Sequence, residues 1–337
     1  MAITLRDVAE KSGFSLAAVS KALHGRGNTV RVSEDSVARI QKVARDLNYR
    51  PNRLARSLRE NKTYNIGLIF RELGRLGDGP MFKVQVIDSM NEVFVPAGYD
   101  LTLLHSLVKG SSTDELEDGR FDGLMWCRLA SFDELSQAVS RARMPIVALA
   151  TPKVNLPIPT FCCNDQEGMN LMMSHFVALG HRSVIYGETE NEIGSLEGDS
   201  RRRAFLGAAQ KYSVSHEALI FNDVAKTLAE MMALPSRPTA LFAWNEHLAG
   251  HVLDAAPSLG ILIPRDLSLA TFDSTLFCES VTPKLTAVRQ QTEKMAFEAS
   301  QTLLAMIEGL PYSVEHRMYS CSLDIRESTA PPPTDSK

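Results

Sequence analysis

The N-terminal part of the chain is rich in cationic side chains, which could bind an anionic partner. Residues 1–62 hold 13 Lys/Arg against 6 Asp/Glu, whereas the remaining residues hold 23 against 34. Lys and Arg that contact nucleic-acid phosphates release condensed counterions, which gives salt-dependent affinity before any base is read. A cationic segment on an anionic body therefore predicts contact with a polyanion at one end of the chain, with a solvated charged helix surface as the plainer alternative.

Capping residues and apolar spacing predict that residues 1–49 form three short helices. Thr4, Ser15 and Ser33 each precede a helical pattern at a position suited to an N-cap. Ser12-Gly13 supplies a tight turn between the first two helices. Two short helices joined by such a turn form a helix-turn-helix, whose second helix enters the DNA major groove.

The outward side chains of that second helix are candidates to meet base edges. Lys21 is the one strong hydrogen-bond donor among them and suits guanine O6 and N7. Leu16 and Ala17 offer only apolar contact, for example to a thymine methyl group, and Ser20 completes the set. We therefore expect sequence specificity to depend partly on DNA shape.

Residues 50–62 are predicted to be a hinge. The arginine-rich stretch Tyr49–Arg59 has room for about two helical turns, which is too short for a stable isolated helix. Its arginines repel one another until phosphates are present, so we expect it to fold on DNA. Leu58 is an apolar side chain available as a minor-groove wedge.

From residue 63 to residue 327 the chain alternates β-branched or apolar runs with amphipathic segments. This alternation predicts βαβ units with parallel sheets, in two lobes. We expect lobe 1 to comprise about residues 63–158 plus 290–323, and lobe 2 about 160–287. The proline-rich tail, 328–337, is predicted to be disordered.

Motifs for other chemistries are missing from the sequence. Gly74, Gly77 and Gly79 do not form G-x-G-x-x-G, and no P-loop or G-x-S-x-G motif is present. His247 and His251 lack the glutamate of H-E-x-x-H. The five cysteines form no CxxC pair, and no 18-residue apolar run occurs. We expect a cytoplasmic protein with no catalytic residues, no metal, no cofactor and no membrane contact.

Several motifs together resemble the LacI/GalR (lactose repressor/galactose repressor) family of bacterial transcription regulators. The resemblance extends over nearly the whole chain, and it is carried by Thr4-Leu-Arg-Asp-Val-Ala-Glu10, Gly13-Phe-Ser15, Val19-Ser-Lys21, Leu47-Asn-Tyr-Arg-Pro-Asn-Arg53 and Ile66-Gly-Leu-Ile69. It implies an α/β fold class with an N-terminal all-α helix-turn-helix head and a two-lobed, doubly wound body like periplasmic binding proteins.

The resemblance also implies a set of DNA contacts. By position they are Thr4, Leu5, Leu16, Ala17, Ser20, Lys21, His24, Tyr49, Asn52, Ala55 and Leu58. To these we add Ser15, which starts the second helix, and Arg53 of the arginine-rich stretch. Lys21 stands where the family usually has Arg, so a point charge replaces a bidentate fork and the operator need not match that of relatives.

A small-molecule site is predicted between the lobes. Asn245 and Asp273 lie just past strand ends, which is where ligands bind in open α/β sheets. The resemblance places Arg201 at the position of an arginine that grips effectors, and Phe221 at the position of an aromatic wall. A sugar is the first expectation for the effector, with a nucleoside, another metabolite or no effector left open.

These features predict an allosteric repressor that binds a pseudo-palindromic operator in double-stranded DNA as a homodimer, with a tetramer left open. Ligand in the cleft would favour one arrangement of the lobes and thereby change operator affinity. Two alternatives remain. One is a constitutive DNA-binding protein with a ligand-free body, and the other is an α/β enzyme with an appended DNA-binding head.

Overall fold

The structure is a computed structural model that describes residues 3–24, 31–50, 57, 60–70, 81–104, 118–128 and 132–333. The chain divides into two compact units, Met1–Thr63 and Tyr64–Lys337. The first unit is all-helical where it is described, and the second contains two parallel sheets covered by helices.

Within its described residues up to 50, the first unit forms three helices, as predicted. They are Leu5–Ser12 (α1), Leu16–His24 (α2) and Glu34–Asp46 (α3). The Thr4 side chain and Asp7 form a capping box on α1, and the Ser15 hydroxyl accepts a hydrogen bond from the Ala18 N–H at 3.2 Å. Ser33 accepts from the Ser36 N–H at 3.4 Å. The helices enclose a small core built around the buried side chains Val8, Val19, Ala22, Ile40 and Ala44.

The second unit contains twelve strands within its described residues. In chain order they are Asn65–Phe70 (β1), Asp100–Leu104 (β2), Gly123–Cys127 (β3), Ile146–Leu149 (β4), Thr160–Cys163 (β5), Ser183–Glu188 (β6), Ser215–Ile220 (β7), Ala240–Ala243 (β8), Ser268–Phe272 (β9), Thr286–Arg289 (β10), His316–Tyr319 (β11) and Ser322–Asp324 (β12). Lobe 1 has the sheet order β11-β5-β4-β3-β1-β2, and lobe 2 has the order β12-β10-β9-β8-β6-β7.

Helices cover both faces of each sheet. They are Phe82–Phe94 (α4), Phe132–Arg141 (α5), Asp165–Leu179 (α6), Leu196–Lys211 (α7), Val224–Met232 (α8), Glu246–Ala255 (α9), Leu276–Ser280 (α10) and Thr292–Glu308 (α11). Strands β3, β4, β8 and β9 are buried along their whole length. That pattern is expected of parallel strands with helices on both sides, and the predicted fold class is confirmed.

The boundary between the lobes differs from the sequence-based prediction in two places. Residues 160–163 were assigned to lobe 2, but β5 pairs with β4 and β11 of lobe 1. The proline-studded stretch 151–159 resembles an interlobe connector, yet it is a loop within lobe 1. The last two strands of the chain are divided between the lobes, because β11 pairs with β5 of lobe 1 and β12 pairs antiparallel with β10 of lobe 2.

The prediction of a disordered tail is wrong for residues 328–333. Ser328 is buried, and its hydroxyl accepts from the Thr286 N–H at 2.9 Å. The Ala330 carbonyl lies 2.9 Å from His181 Nε2 and accepts from the Ser268 hydroxyl at 2.9 Å. The proline-rich composition is typical of disorder. However, His181, Ser268 and Thr286 are buried polar residues of lobe 2, and the tail supplies hydrogen-bond partners for them. Residues 334–337 lie outside the described part of the chain.

Candidate DNA-binding surface and interlobe cleft

Helix α2 has one face in the core of the first unit and one face outside it. Val19 and Ala22 are buried, whereas Leu16 is 42% exposed and Ala17 is also exposed. Ser20 and Lys21 are half-buried beside them. The structure therefore places the four predicted base-reading residues together on the outward face of the second helix, the geometry that a major-groove reader requires.

The other predicted DNA contacts fall into three groups. Thr4 and Ser15 are exposed at the starts of α1 and α2, while Leu5 and Tyr49 are half-buried and pack against the small core. The side chain of His24 lies outside the described residues, as do four residues of the predicted hinge, Asn52, Arg53, Ala55 and Leu58. Their roles stay predictions.

A cavity of about 340 Å³ lies between the two lobes of the body. Lobe 1 contributes the side chains of Phe82, Arg128, Pro152, Lys153, His316 and Met318 to its wall. Lobe 2 contributes Asp165, Glu197, Ser200, Arg201, Arg203, Trp244 and Asp273. Its volume and its mixture of charged, polar and aromatic groups suit a small polar ligand.

Arg201 is the most constrained of these side chains. It lies on α7, which begins where the Ser195 hydroxyl accepts from the Gly198 N–H at 2.9 Å. The residue is 7% exposed, and its guanidinium donates from Nη1 to the Trp244 carbonyl at 2.8 Å. Its Cζ lies 3.8 Å from the centre of the Phe272 ring and 4.4 Å from that of Trp244. The aromatic rings hold the guanidinium plane in place.

Two carboxylates neutralise that buried charge. Arg201 Nε lies 3.4 Å from Asp165 Oδ1, and Nη1 lies 3.9 Å from Asp273 Oδ2. Burial opposes the charged form of Arg201, but Asp273 and Asp165 more than offset it, so the pKa of the guanidinium is raised. The arrangement is an anchored donor fork with acceptors on either side, which can pair with hydroxyl or carboxylate groups.

Asp273 follows β9 with a left-handed backbone, φ 69°. A non-glycine residue in this region is uncommon, and such positions concentrate at ligand sites. Its Oδ1 accepts a hydrogen bond from Gln290 Nε2, in the segment that crosses back to lobe 1. The structure thus brings Asp273 and Arg201 together in the cavity wall.

Two other predicted effector residues are not brought to the cavity. Asn245 is buried, and its Oδ1 accepts from the Leu248 N–H at 2.9 Å, so it caps α9. Phe221 is 2% exposed and packs in the core of lobe 2, against Gly187. Neither residue is among the described residues that line the cavity. The aromatic wall is Trp244, one residue before the predicted Asn245.

Arg128 is a cleft residue that sequence reasoning missed. It follows β3 with φ 59° and presents its Cζ 4.6 Å from the centre of the Trp244 ring. Its Nη2 lies 3.0 Å from Glu192 Oε2 of lobe 2. The signal was available, since Arg128 comes just after a buried strand, as Asp273 does.

A second contact between the lobes involves Glu246, at the first turn of α9. The Met81 N–H of lobe 1 donates to Glu246 Oε1 at 2.9 Å, and the side chain is 1% exposed. Burial, and next the negative charge of Asp273, raise the pKa of Glu246 to about 8. This carboxyl is therefore largely protonated at neutral pH while the lobes are in this arrangement.

Comparison with known protein families gives two matches along the chain. The model of bacterial regulatory proteins of the lacI family matches residues 4–52. The model of the periplasmic binding protein-like domain matches residues 173–329. The first match covers α1 to α3, and the second covers most of lobe 2 together with α11, β11 and β12.

Curated relatives match over almost their full length. The probable HTH-type transcriptional repressor ExuR of Bacillus subtilis is 25% identical over 97% of this chain and 98% of its own. The HTH-type transcriptional repressor PurR of Proteus mirabilis is 29% identical over 90% of each chain.

Solved structures share the fold. The lac repressor dimer bound to operator and the anti-inducer ONPF matches with a TM-score of 0.80 and 20% identity, over 98% of this chain and 100% of that chain. The complex of the transcriptional regulator CelR with cellobiose matches with a TM-score of 0.67 and 19% identity, over 97% of this chain and 99% of that chain.

Among the described residues, no helix is both long and apolar enough to span a bilayer. The chain therefore combines a DNA-binding domain of the lacI family of bacterial regulatory proteins with a periplasmic binding protein-like domain, and it is a DNA-binding transcriptional regulator.

Proposed function

We propose that this protein is a homodimeric transcription repressor whose hold on a pseudo-palindromic operator is set by a small molecule in the interlobe cleft. The observation that carries the proposal is a cavity of about 340 Å³ walled by charged side chains of both lobes, in a chain whose first helices form a helix-turn-helix. Its curated relatives ExuR and PurR are named as repressors, and CelR is solved with cellobiose, which supports a sugar as the effector.

DNA recognition is assigned to the outward face of α2. Lys21 donates to a base edge, and Leu16 and Ala17 make apolar contacts beside it. The starts of α1 and α2, at Thr4 and Ser15, face phosphates, because helix N-termini attract anions. A homodimer presents two such helices to two half-sites, and the lac repressor is solved as a dimer bound to operator.

Effector control is assigned to the arrangement of the lobes. A ligand held by Arg201 and Asp273 of lobe 2 and by Arg128 of lobe 1 binds one arrangement more tightly than the other, and so shifts the equilibrium. In the dimer this changes the separation of the two hinges, which then fold together on DNA or stay unfolded. Coupling of about 1 to 3 kcal/mol is enough for a roughly 5- to 150-fold change in operator affinity.

The protein acts by binding in this proposal, and it catalyses no reaction. It works in the cytoplasm, where bacterial DNA is accessible. The buried thiols, including Cys127 and Cys278, stay reduced there.

The test is to select operators from a random duplex library with the full-length chain and to measure binding with and without metabolites. We expect the chain to bind a two-fold symmetric sequence with a dissociation constant on the order of nanomolar. We also expect at least one metabolite to change this operator affinity by about fivefold or more. Absence of any sequence preference at moderate salt would overturn the proposal. Sequence preference that no metabolite alters would favour a constitutive DNA-binding protein.

A further inference from the structure

Two cations at the rim of the cleft distinguish this site from a neutral sugar pocket. Lys153 lies in the loop between β4 and β5 of lobe 1, and Arg203 lies on α7 of lobe 2. Both side chains line the same cavity and both are exposed. They therefore stand on opposite walls, one supplied by each lobe.

The two deeper arginines of the cleft are already paired with carboxylates, whereas the two cations of the rim are not. Arg201 is paired with Asp165 and Asp273, and Arg128 is paired with Glu192. Within the described part of the chain, neither Lys153 nor Arg203 has an acidic group within 4.0 Å. The positive charge that remains for a ligand is thus concentrated on these two side chains.

The aromatic wall is also occupied. The Trp244 ring has the Arg201 guanidinium 4.4 Å and the Arg128 guanidinium 4.6 Å from its centre. A ring covered by two cations offers less area for stacking against the apolar face of a neutral sugar. Recognition must then rely more on hydrogen bonds and charge.

His316 lies close to Lys153 in the lobe 1 wall of the cavity. Its Nδ1 lies 2.8 Å from the Thr160 hydroxyl, and the imidazole forms part of the lobe 1 wall. Burial, and next the Lys153 ammonium, lower the pKa of His316. The imidazole is therefore neutral, with its Nε2 3.8 Å from the Cys162 Sγ, and it does not compete with Lys153 for an anion.

We propose that the effector is a hydroxylated small molecule that carries an acidic group, a carboxylate or a phosphate, and that Lys153 and Arg203 bind this group between the lobes. The inference rests on the proposed function, since it names the chemical class of the ligand at that site. An anion attracted by one cation from each lobe favours the arrangement in which both can reach it. The acidic group thus couples ligand binding to lobe closure.

The test uses the full-length chain and matched ligand sets, namely glucose, glucuronate and glucose 6-phosphate, and the corresponding galactose series, in calorimetric titrations. We expect an acid of one set to bind at least about tenfold more tightly than its neutral parent, with affinity that falls as NaCl is raised. Whether the uronate or the phosphate binds decides between carboxylate and phosphate.

Variants connect the preference to the two residues. Lys153→Gln and Arg203→Gln are each expected to weaken binding of the preferred acid by roughly fivefold to tenfold, since each removes one charge-assisted hydrogen bond. Arg143→Gln in lobe 1 and Arg237→Gln in lobe 2 are matched controls, because both residues are exposed and do not line the cavity. Thermal unfolding of all four variants checks that the body remains folded.

Equal or tighter binding of a neutral parent, or failure of every acid in the sets to bind, would overturn the anionic assignment. So would an acid preference that survives in both rim variants. None of these results touches operator selection in the absence of ligand, so the proposed function is judged separately.

Discussion

A guanidinium fixed by two carboxylates and two aromatic rings has little freedom to reorient. Arg201 is in this position, and its donors already point along set directions before a ligand arrives. Less side-chain entropy is then lost on binding, which raises affinity for a ligand that matches the directions. The same rigidity makes Asp273 a sensitive position.

Replacing Asp273 with Ala is expected to weaken effector binding by about tenfold or more, because Arg201 loses one of its two carboxylate partners and the ligand loses an acceptor. Operator binding without effector should stay unchanged. Calorimetric titration and fluorescence anisotropy on the selected operator measure the two quantities. Asp254→Ala, at an exposed position of α9, is the control. An effector response equal to that of the unmodified chain would remove Asp273 from the site.

Lys21 carries the corresponding prediction for DNA. Lys21→Gln is expected to cost about 1 to 3 kcal/mol at one base pair of each half-site and to relax the preference there, because the donor to guanine is lost. Anisotropy with single-base operator variants locates the effect. Lys42→Gln, exposed on α3, should weaken all sequences alike and only slightly. A uniform loss for Lys21→Gln would mean that Lys21 contacts phosphate instead.

At the scale of elements, the first turn of α9 combines two tasks. Asn245 caps the helix, and Glu246 accepts a hydrogen bond from Met81 of the other lobe. Burial of the Glu246 carboxyl, and next the negative charge of Asp273, favour its protonated form by raising its pKa to about 8. The helix start therefore makes the stability of the body depend on pH.

The direction of this pH dependence follows from the pKa of Glu246, which is about 8 in the folded state against an ordinary value of 4.5 in the unfolded chain. Below pH 4.5 both states are protonated and the group costs nothing. Between pH 4.5 and 8 the unfolded state loses the proton first, so stability falls by up to about 1.4 kcal/mol per pH unit. We expect Glu246→Gln to raise the melting temperature at pH 8 more than at pH 5.5.

Thermal denaturation at both pH values measures this difference. Glu308→Gln, exposed at the end of α11, is the control and should shift neither melting temperature. A constant difference between Glu246→Gln and the unmodified chain across the range would contradict a protonated Glu246.

At the scale of the whole molecule, the two units can be separated by experiment. Removing residues 1–62 is expected to abolish duplex binding, because the helices with Lys21 are lost, while the body keeps its own cores and its melting transition. Electrophoretic mobility shift and differential scanning calorimetry test the two parts. Sequence-specific binding by the shortened chain would refute the assignment of DNA recognition to the first unit.

Local signals predicted local structure well. The caps at Thr4, Ser15 and Ser33 depend on residues within one helical turn, and the structure confirms all three. The alternation of apolar runs likewise predicted two lobes of parallel sheet.

Long-range pairing was not encoded in such signals. Residues 160–163 belong to lobe 1 because they pair with Ile146–Leu149 and with His316–Tyr319, the latter more than 150 residues later. In the site, Arg201 and Asp273 were predicted. Arg128 was missed although it follows a strand as Asp273 does, and Trp244 was missed because a tryptophan beside a buried strand is equally typical of a core.

The return of the chain to both sheets has a consequence for its synthesis. β11 and α11 complete lobe 1, and β12 with Ser328 and Ala330 completes lobe 2, so each half needs residues from the last tenth of the polypeptide. A ribosome must therefore translate nearly the whole message before either half can close. A premature stop codon after residue 310 would leave two unfinished sheets in place of one intact half, each with an edge open to aggregation.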